Sequence, residues 1–186
     1  MSRRTHLFTP ALLAVPVILL AACSPGGGTD KVIGGPARAE EPSRVAIPSI
    51  GVASPLIRVG LNKDDTVRVP PPGKSMTAGW YTGSAKPGTP GTAVIVGHSD
   101  ARDGKAVFHD LHKVTKGTVI DVERGDGVVL HFSVTGTEKA GESAFPKRKV
   151  YGETNERALR LVSCAGELDG GGHPAENLVV HAELKA

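Results

Sequence analysis

Short apolar segments, separated by turns rich in glycine and proline, limit the folds open to this chain more than any other feature. The sequence has 24 Gly and 14 Pro among 186 residues. From residue 43 onward the apolar side chains alternate with polar ones or form short runs, and few windows have helical periodicity. This pattern predicts a mostly β domain, either an antiparallel-dominated β-barrel or a β-sandwich.

About eight strands and one or two short helices are predicted in this region. The continuous apolar run at 93–96 is typical of a strand that is covered on both faces. Asp126 and Gly127, between two alternating segments, are a hairpin signal. Helical turns are predicted at 106–111 and 155–159. The other predicted strands are 44–48, 50–52, 55–59, 67–69, 118–122, 128–134, 158–163 and 178–182.

The N-terminus has the composition of an export signal. Arg3 and Arg4 precede an apolar stretch, residues 11–22. At about 12 residues this stretch is shorter than the roughly 20 needed to span a bilayer, and it suits a signal peptide. It ends in Leu-Ala-Ala-Cys, which resembles a bacterial lipobox, so the resemblance implies a lipid on Cys23. An ordinary signal-peptidase site and an uncleaved anchor are the alternatives.

Three segments are therefore predicted: a signal peptide with lipobox at 1–22, a flexible tether at 23–42 and one domain at 43–186. The tether has almost no large apolar side chains to bury, so it has no means of folding alone. Loss of the signal peptide removes Arg3 and Arg4. The chain of 22 basic and 19 acidic residues then has 20 basic and 19 acidic residues, so the mature protein is close to neutral. With only 1 Trp, 2 Tyr and 4 Phe, the chain has no basic and aromatic surface typical of nucleic-acid binding.

Cys164 is the second of only 2 cysteines. If Cys23 is used for lipidation, Cys164 is an unpaired thiol outside the cell, where such a thiol is a candidate nucleophile. His98 also follows a predicted strand. An imidazole beside a thiol favours the reactive thiolate or protonates a leaving amine. The alternatives are a small buried cysteine and a surface-loop histidine.

Several short motifs follow one another in an order that resembles the sortase family, most closely the class F (class E/F-like) sortases of Actinobacteria. The resemblance covers about residues 44–184, and each motif by itself is weak. The motifs are Ile-Pro-Ser-Ile-Gly-Val at 47–52, Ala-Gly-Trp-Tyr at 78–81, Pro-Gly-Thr-Pro-Gly at 87–91, Val-Gly-His-Ser-Asp at 96–100, Ala-Val-Phe-His-Asp-Leu at 106–111, Lys-Gly-Thr at 116–118, Leu-Val-Ser-Cys-Ala-Gly at 161–166 and Glu-Asn-Leu-Val-Val-His-Ala at 176–182.

The resemblance implies a single eight-stranded sortase-type β-barrel that acts as a cysteine transpeptidase. Such an enzyme cleaves a C-terminal sorting signal of the Leu-Pro-x-Thr-Gly type and forms a thioacyl intermediate. It then transfers the acyl group to an amine of the cell wall or of a pilin. Carried over to this chain, Cys164 is the nucleophile and His98 the general acid and base. The implied location is the outer face of the cytoplasmic membrane, and no cofactor is implied.

The chain departs from the family pattern at two places. Sortases normally have Thr before the cysteine, whereas this chain has Ser163, which keeps the hydroxyl. Sortases also use an Arg on the following strand to stabilise the oxyanion, but residues 165–186 contain no Arg. The family's Arg would fall near Ala175 or Asn177, which share a strand face.

Three residues are candidates for the missing oxyanion donor. Asn177 has an amide donor, Arg160 lies four residues before Cys164 and so on the same strand face, and His173 follows a triple-glycine segment. The alternative is a catalytically impaired lipoprotein that binds secreted peptides through a sortase groove. A structural β-domain of the cell envelope is a third possibility. Residues 139–151 are predicted to line the groove and set substrate choice.

Metal sites have weak support in the sequence. His98, His109, His112 and Cys164 are the residue types of a zinc site but lack its usual spacing. An acidic set, Asp100, Asp103 and Asp110, lacks the ordered loop of a calcium site. We therefore predict neither a metal nor a cofactor.

Overall fold

The computed structural model describes residues 38, 40–101, 104–141, 145–164 and 177–186. Strands dominate this part of the chain, as the short apolar segments predict. They are β1 (Pro42–Ile47), β2 (Val52–Val59), β3 (Ala78–Tyr81), β4 (Gly91–His98), β5 (Asp100–Ala101), β6 (Gly104–Lys105), β7 (Val119–Arg124), β8 (Val129–Ala140), β9 (Arg157–Cys164) and β10 (Asn177–Leu184).

Eight of these strands close into a barrel in the order β1-β2-β3-β4-β9-β10-β8-β7, and β5 pairs with β6 as a separate small hairpin. This confirms the predicted mostly β fold and decides for the barrel against the sandwich. Neighbouring strands are antiparallel except β2 with β3 and β4 with β9. The predicted turn at Asp126 and Gly127 joins β7 to β8, and Gly127 has a φ of 82° that suits glycine.

Helices are few and short. The described residues form one α-helix, α1 (Lys147–Tyr151). They also form three 3-10 helices, at Pro48–Ile50, Pro72–Lys74 and His109–Lys113. Among the described residues, no helix has the length and apolar character needed to span a membrane. The helical turn predicted at 106–111 is matched in part, because the last of these 3-10 helices begins at His109.

The predicted strand at 50–52 is wrong except at its last residue, because Ile50 ends a 3-10 helix, Gly51 is left-handed and β2 begins at Val52. Two further local predictions are wrong because strand pairing outweighs local sequence preference. The predicted helical turn at 155–159 is occupied by the start of β9, where Arg157 pairs with Gly91 of β4 and Leu159 is fully buried. The predicted strand at 67–69 is reduced to one isolated bridge between Leu61 and Val67.

β4 is buried on both faces, as its continuous apolar run predicts. Ala93 and Ile95 belong to the core inside the barrel. Val94 and Val96 belong instead to a second apolar group on the opposite face of the strand. This outer cluster consists of Val59, Val94, Val96, Val150, Val162 and Val179. Because strand side chains alternate between faces, His98 follows Val94 and Val96 on the outer-cluster side.

Candidate active site

The barrel brings the two sequence-predicted catalytic positions side by side. His98 is the last residue of β4, Cys164 is the last residue of β9, and the parallel register pairs them directly. Neighbouring strands lie about 4.8 Å apart, so the two backbones are adjacent at this edge. His98 and Cys164, although far apart in the sequence, thus occupy one row of the sheet.

Asn177 occupies the next strand in the same row. It is the first residue of β10, and the β10–β9 register pairs Leu178 with Ser163. One further step of this antiparallel register places Asn177 opposite Cys164. His98, Cys164 and Asn177 therefore lie on three consecutive strands at one edge of the barrel. We call these three positions the catalytic row, after the roles predicted for them from the sequence.

The imidazole of His98 is half-buried and held by a backbone carbonyl. Its Nε2 lies 2.7 Å from the carbonyl oxygen of Pro70. A carbonyl only accepts hydrogen bonds, so Nε2 carries the hydrogen, and in the neutral ring Nδ1 is then the basic nitrogen. The carbonyl oxygen of His98 accepts a hydrogen bond of 2.9 Å from the amide of Phe108. These contacts fix both the ring and the backbone of the histidine.

Gly97 is required for this anchoring because it has no side chain. A Cβ built at Gly97 would lie 2.6 Å from Cδ2 of Phe108 and 2.7 Å from Cγ1 of Val107. Both side chains are buried, with Phe108 only 1% exposed, so neither has open space to move into. The glycine before the histidine thus lets the 107–108 segment pack tightly against the end of β4.

Gly97→Ala is therefore expected to destabilise the domain by about 1–3 kcal/mol through overpacking. Urea unfolding followed by tryptophan fluorescence measures this change, with Gly136→Ala as the control because a Cβ there meets nothing within 4 Å. Equal stability of the two variants would contradict the packing role of Gly97.

Ser163 connects the end of β9 to the start of β10. Its side chain is buried, and its Oγ accepts a hydrogen bond of 3.0 Å from the amide of Leu178. Asn177 precedes Leu178 and Cys164 follows Ser163, so this hydrogen bond fixes the position of Asn177 relative to Cys164. The hydroxyl is the atom that serine shares with threonine, so the replacement keeps this contact.

Arg160 lies on β9 but uses its guanidinium away from the end of the strand. Nε donates to the carbonyl of Lys149 in α1 at 3.3 Å, and Nη1 donates to the carbonyl of Leu159 at 3.0 Å and, more weakly, to that of Ala182 at 3.5 Å. Burial lowers the pKa of this guanidinium. In this conformation Arg160 ties α1 to the barrel about 13 Å along the strand from Cys164.

The histidines and acidic residues of the metal alternatives have other contacts. Nδ1 of His109 lies 3.0 Å from Oδ1 of Asp100, and Asp110 forms ion pairs with Lys105 and Lys113. Within the described ranges, no three His, Cys, Asp or Glu side chains are grouped closely enough to hold a metal ion. Cys23, Asp103 and His173 lie outside the described residues.

The outer cluster forms a buried apolar layer beside the catalytic row. Val96 and Val162, two residues before His98 and Cys164, are 1% and 2% exposed. Residues 139–151, which are predicted to line the groove, cover these two valines. Val150 of α1 belongs to the same cluster, and Phe145 packs against it. Glu138 at the base of this segment is paired with Lys149, whose hydrogen bond lowers the pKa of the Glu138 carboxyl.

Two features of the site were missed by sequence reasoning. The first is the carbonyl of Pro70, at the start of a run of three prolines, which orients the ring of His98. The position of α1 over the outer cluster was also missed, because its five residues have no amphipathic repeat. The proline run is the local sequence signal for the contact between Pro70 and His98.

Comparison with known proteins agrees with this geometry. The sortase domain family matches residues 45–185. The chain therefore belongs to the sortase family. No curated protein matches it.

Solved sortases have the same fold at low sequence identity. They include Sortase A from Corynebacterium diphtheriae (TM-score 0.60, 22% identity, 80% of this chain and 63% of that chain). Another is Pilus Island 1 Sortase C2 from Group B Streptococcus (TM-score 0.58, 23% identity, 77% of this chain and 73% of that chain). A third is sortase C-1 from Actinomyces oris (TM-score 0.59, 21% identity, 77% of this chain and 73% of that chain). The match to the first spans less than two thirds of the solved chain. At these identities the likeness establishes the fold.

Proposed function

We propose that this sortase is a cysteine transpeptidase in which Cys164 is the nucleophile and His98 the general acid and base. The observation that carries the proposal is the direct pairing of the two positions at one edge of the barrel. The anchored ring of His98 supports it, since a positioned imidazole is what proton transfer requires.

The reaction proceeds through two acyl transfers. The Cys164 thiolate attacks the carbonyl carbon of the scissile peptide bond, and the carbonyl oxygen becomes an oxyanion. The carbon–nitrogen bond then breaks, His98 gives its proton to the leaving amine, and a thioester remains on Cys164. An acceptor amine attacks this thioester and returns a proton to His98. The products are a new amide and the free thiolate, so protons and bonds balance.

The substrate in this proposal is a secreted protein with a C-terminal sorting signal of the Leu-Pro-x-Thr-Gly type. The acceptor is an amine of the cell wall or of a pilin. The motif order favours class F, and the lipobox favours a lipid on Cys23 that holds the domain at the outer face of the cytoplasmic membrane. A substrate that emerges from the export machinery would meet an enzyme at that surface.

Covalent labelling of Cys164 by a substrate analogue is the direct test. A Leu-Pro-Ala-Thr chloromethyl ketone, which the Cys164 thiolate converts to a stable thioether with loss of chloride, stands in for the substrate, and the adduct is located by mass spectrometry of the digested chain. An Arg-containing sortase labelled in parallel shows that the conditions are adequate. Labelling of the relative but not of this protein would exclude the transpeptidase.

Asn177 is proposed as the oxyanion donor because its row in the sheet is that of Cys164. We expect Asn177→Ala to lower kcat/KM by on the order of 10²-fold, since an oxyanion-hole donor contributes about 3 kcal/mol. Asn62→Ala, in the β2–β3 loop, is the matched control. A rate that is unchanged in Asn177→Ala but lost in Arg160→Ala or His173→Ala would transfer the role to that residue.

A second function, peptide binding without turnover, is favoured by the absence of Arg from residues 165–186. It predicts that fluorescent sorting-signal peptide binds with measurable affinity while no adduct forms at Cys164. Pre-steady-state mixing separates the two functions, because the transpeptidase releases the glycine-containing fragment and the binding protein does not.

A further inference from the structure

A cavity of about 640 Å³ opens at the end of the barrel opposite the catalytic row. Its walls come from the β3–β4 loop, the first residues of β4 and the loop between α1 and β9. On the outer face of β4, between this cavity and His98, Val94 and Val96 are 0% and 1% exposed. Val150 belongs to the same cluster, and Phe145 packs against it. The cavity is therefore separate from the catalytic row, and a peptide bound at the row has no open path to it along β4.

Two tyrosine rings form one wall of the cavity. The ring centroid of Tyr151 lies 6.2 Å from that of Tyr81 and 6.0 Å from that of Phe145. The ring of Tyr81 lies against the backbone, since a Cβ built at Gly83 would overlap it. Tyr151 is 37% exposed although it has aromatic neighbours on two sides. The wall is thus an aromatic surface whose rings are already held in place, which lowers the entropic cost of binding a ligand on it.

The polar groups that a ligand would meet in the cavity are few. Glu153 and Asn155, in the loop after α1, line it and are exposed. Among the described residues, neither side chain has a partner in a hydrogen bond or an ion pair. The hydroxyl of Ser84 is used within the protein, because its Oγ donates to the carbonyl of Tyr81 at 2.6 Å. The cavity therefore offers a ligand one carboxylate, which accepts hydrogen bonds, and one amide, which donates and accepts them.

The composition of the lining argues against most classes of ligand. Its described residues include no lysine, arginine or histidine, so an anion such as a phosphate has no counter-charge there. Their aliphatic side chains are no larger than proline, so an acyl chain has no deep apolar pocket. Glu153 is the single charged residue among them, and one exposed carboxylate attracts a cation only weakly.

A sugar suits what the lining does offer. The apolar face of a sugar ring packs on a tyrosine ring, and its hydroxyls donate to a carboxylate and exchange hydrogen bonds with an amide. The volume of the cavity lies within the roughly 300–1,000 Å³ of small-ligand sites. Export, which the N-terminus predicts, brings the domain among the polysaccharides of the cell envelope.

We propose that the Tyr81–Tyr151 cavity binds a neutral glycan, with the tyrosine rings against the sugar faces and with Glu153 and Asn155 on the sugar hydroxyls. This is a binding function beyond the proposed transpeptidase, because it uses neither the thiol of Cys164 nor the catalytic edge. A glycan held at this end would keep the enzyme beside the wall polymer while the catalytic row, at the other end of the barrel, stays free for substrate and acceptor.

The test is an NMR titration of the isotope-labelled protein with three neutral hexasaccharides: chitohexaose, maltohexaose and mannohexaose. We expect at least one of them to bind and to shift the amide signals of the cavity. Tyr151→Ala should weaken that binding by about tenfold or more, and Tyr151→Phe, which keeps the ring, should preserve it. Glu153→Gln should weaken it by about threefold to tenfold, the range of one hydrogen bond. The matched controls, Met76→Ala and Glu183→Gln, change exposed side chains outside the lining and should leave the affinity unchanged.

Three results would overturn the glycan proposal. The first is no binding of any of the three hexasaccharides. The second is binding that both Tyr151→Ala and Glu153→Gln leave unchanged, which would place the sugar elsewhere. The third is tighter binding of hexagalacturonate or of hexalysine, which would make the ligand an anion or a cation. If Tyr151→Ala fails to fold, Glu153→Gln decides, since it changes only an exposed side chain.

The glycan proposal and the proposed function fail separately. Cys164→Ala should bind the hexasaccharide with the affinity of the wild type, and Glu153→Gln should turn over a soluble Leu-Pro-Ala-Thr-Gly peptide at the rate of the wild type. A protein that binds the sugar but forms no adduct at Cys164 would keep the glycan site and lose the transpeptidase. Adduct formation without sugar binding would do the reverse.

Discussion

Cys164→Ala is expected to abolish transpeptidation, with a loss of at least about 10⁴-fold in kcat, because no other group in the catalytic row forms the thioester. The measurement is release of the glycine-containing fragment from a Leu-Pro-Ala-Thr-Gly peptide, together with transfer of the acyl part to added triglycine. Ser163, which precedes Cys164 on β9, and Asn177, its neighbour in the row, carry side chains that are not nucleophilic enough at neutral pH to replace a thiolate.

The control for Cys164→Ala is the folded state of the variant. Thermal unfolding should be close to that of the wild type, since alanine keeps the backbone pairing of this position with His98. Residual turnover of more than a few per cent in a folded Cys164→Ala protein would mean that another residue forms the intermediate. Mass spectrometry of a trapped adduct would then identify it.

His98→Ala is expected to lower kcat/KM by about 10²–10⁴-fold, the usual contribution of a positioned acid–base group. The variant removes the proton donor for the leaving amine and leaves the thiol in place. Loss of the His98–Pro70 hydrogen bond also frees the β2–β3 loop from the end of β4. His131→Ala is the matched control, because His131 is exposed on β8 and pairs with Asp121 across the β7–β8 hairpin.

The pH dependence of iodoacetamide alkylation distinguishes a catalytic partner from a histidine that only stabilises the loop. In the wild type, the rate at Cys164 should depend on the protonation of the neighbouring imidazole. In His98→Ala it should follow a single ionisation near that of an ordinary thiol, about 8.5. Identical profiles in the two proteins would contradict the pairing of His98 with Cys164 in the reaction, even if turnover falls.

Much of the architecture is predictable because its signals are local. The apolar run at 93–96 indicates a strand buried on both faces, and the Asp-Gly pair at 126–127 indicates the β7–β8 turn; both are confirmed. The failures at 155–159 and 67–69 have one cause. Whether such a segment becomes a strand depends on a partner strand distant in sequence, and local preference carries no information about that partner.

The candidate site divides in the same way. His98 and Cys164 are predicted from their types and from motifs in sequence order, and their direct pairing in the barrel supports the roles that stay proposals. Arg160 was predicted from strand alternation to share a face with Cys164, but α1 supplies a nearer acceptor at Lys149. That acceptor was not predictable, because α1 is too short to have a recognisable period.

The amino-acid sequence by itself determined the mostly β class, the order of the strands along the chain and the identity of the thiol and imidazole, because these depend on residue type and short-range pattern. Only the tertiary structure decided that β4 and β9 are parallel neighbours, that the carbonyl of Pro70 holds His98 and that Asn177 follows Cys164 in the row. The physical reason is that strand partners are chosen by burial of both faces across the whole barrel, where contacts join residues far apart in the chain.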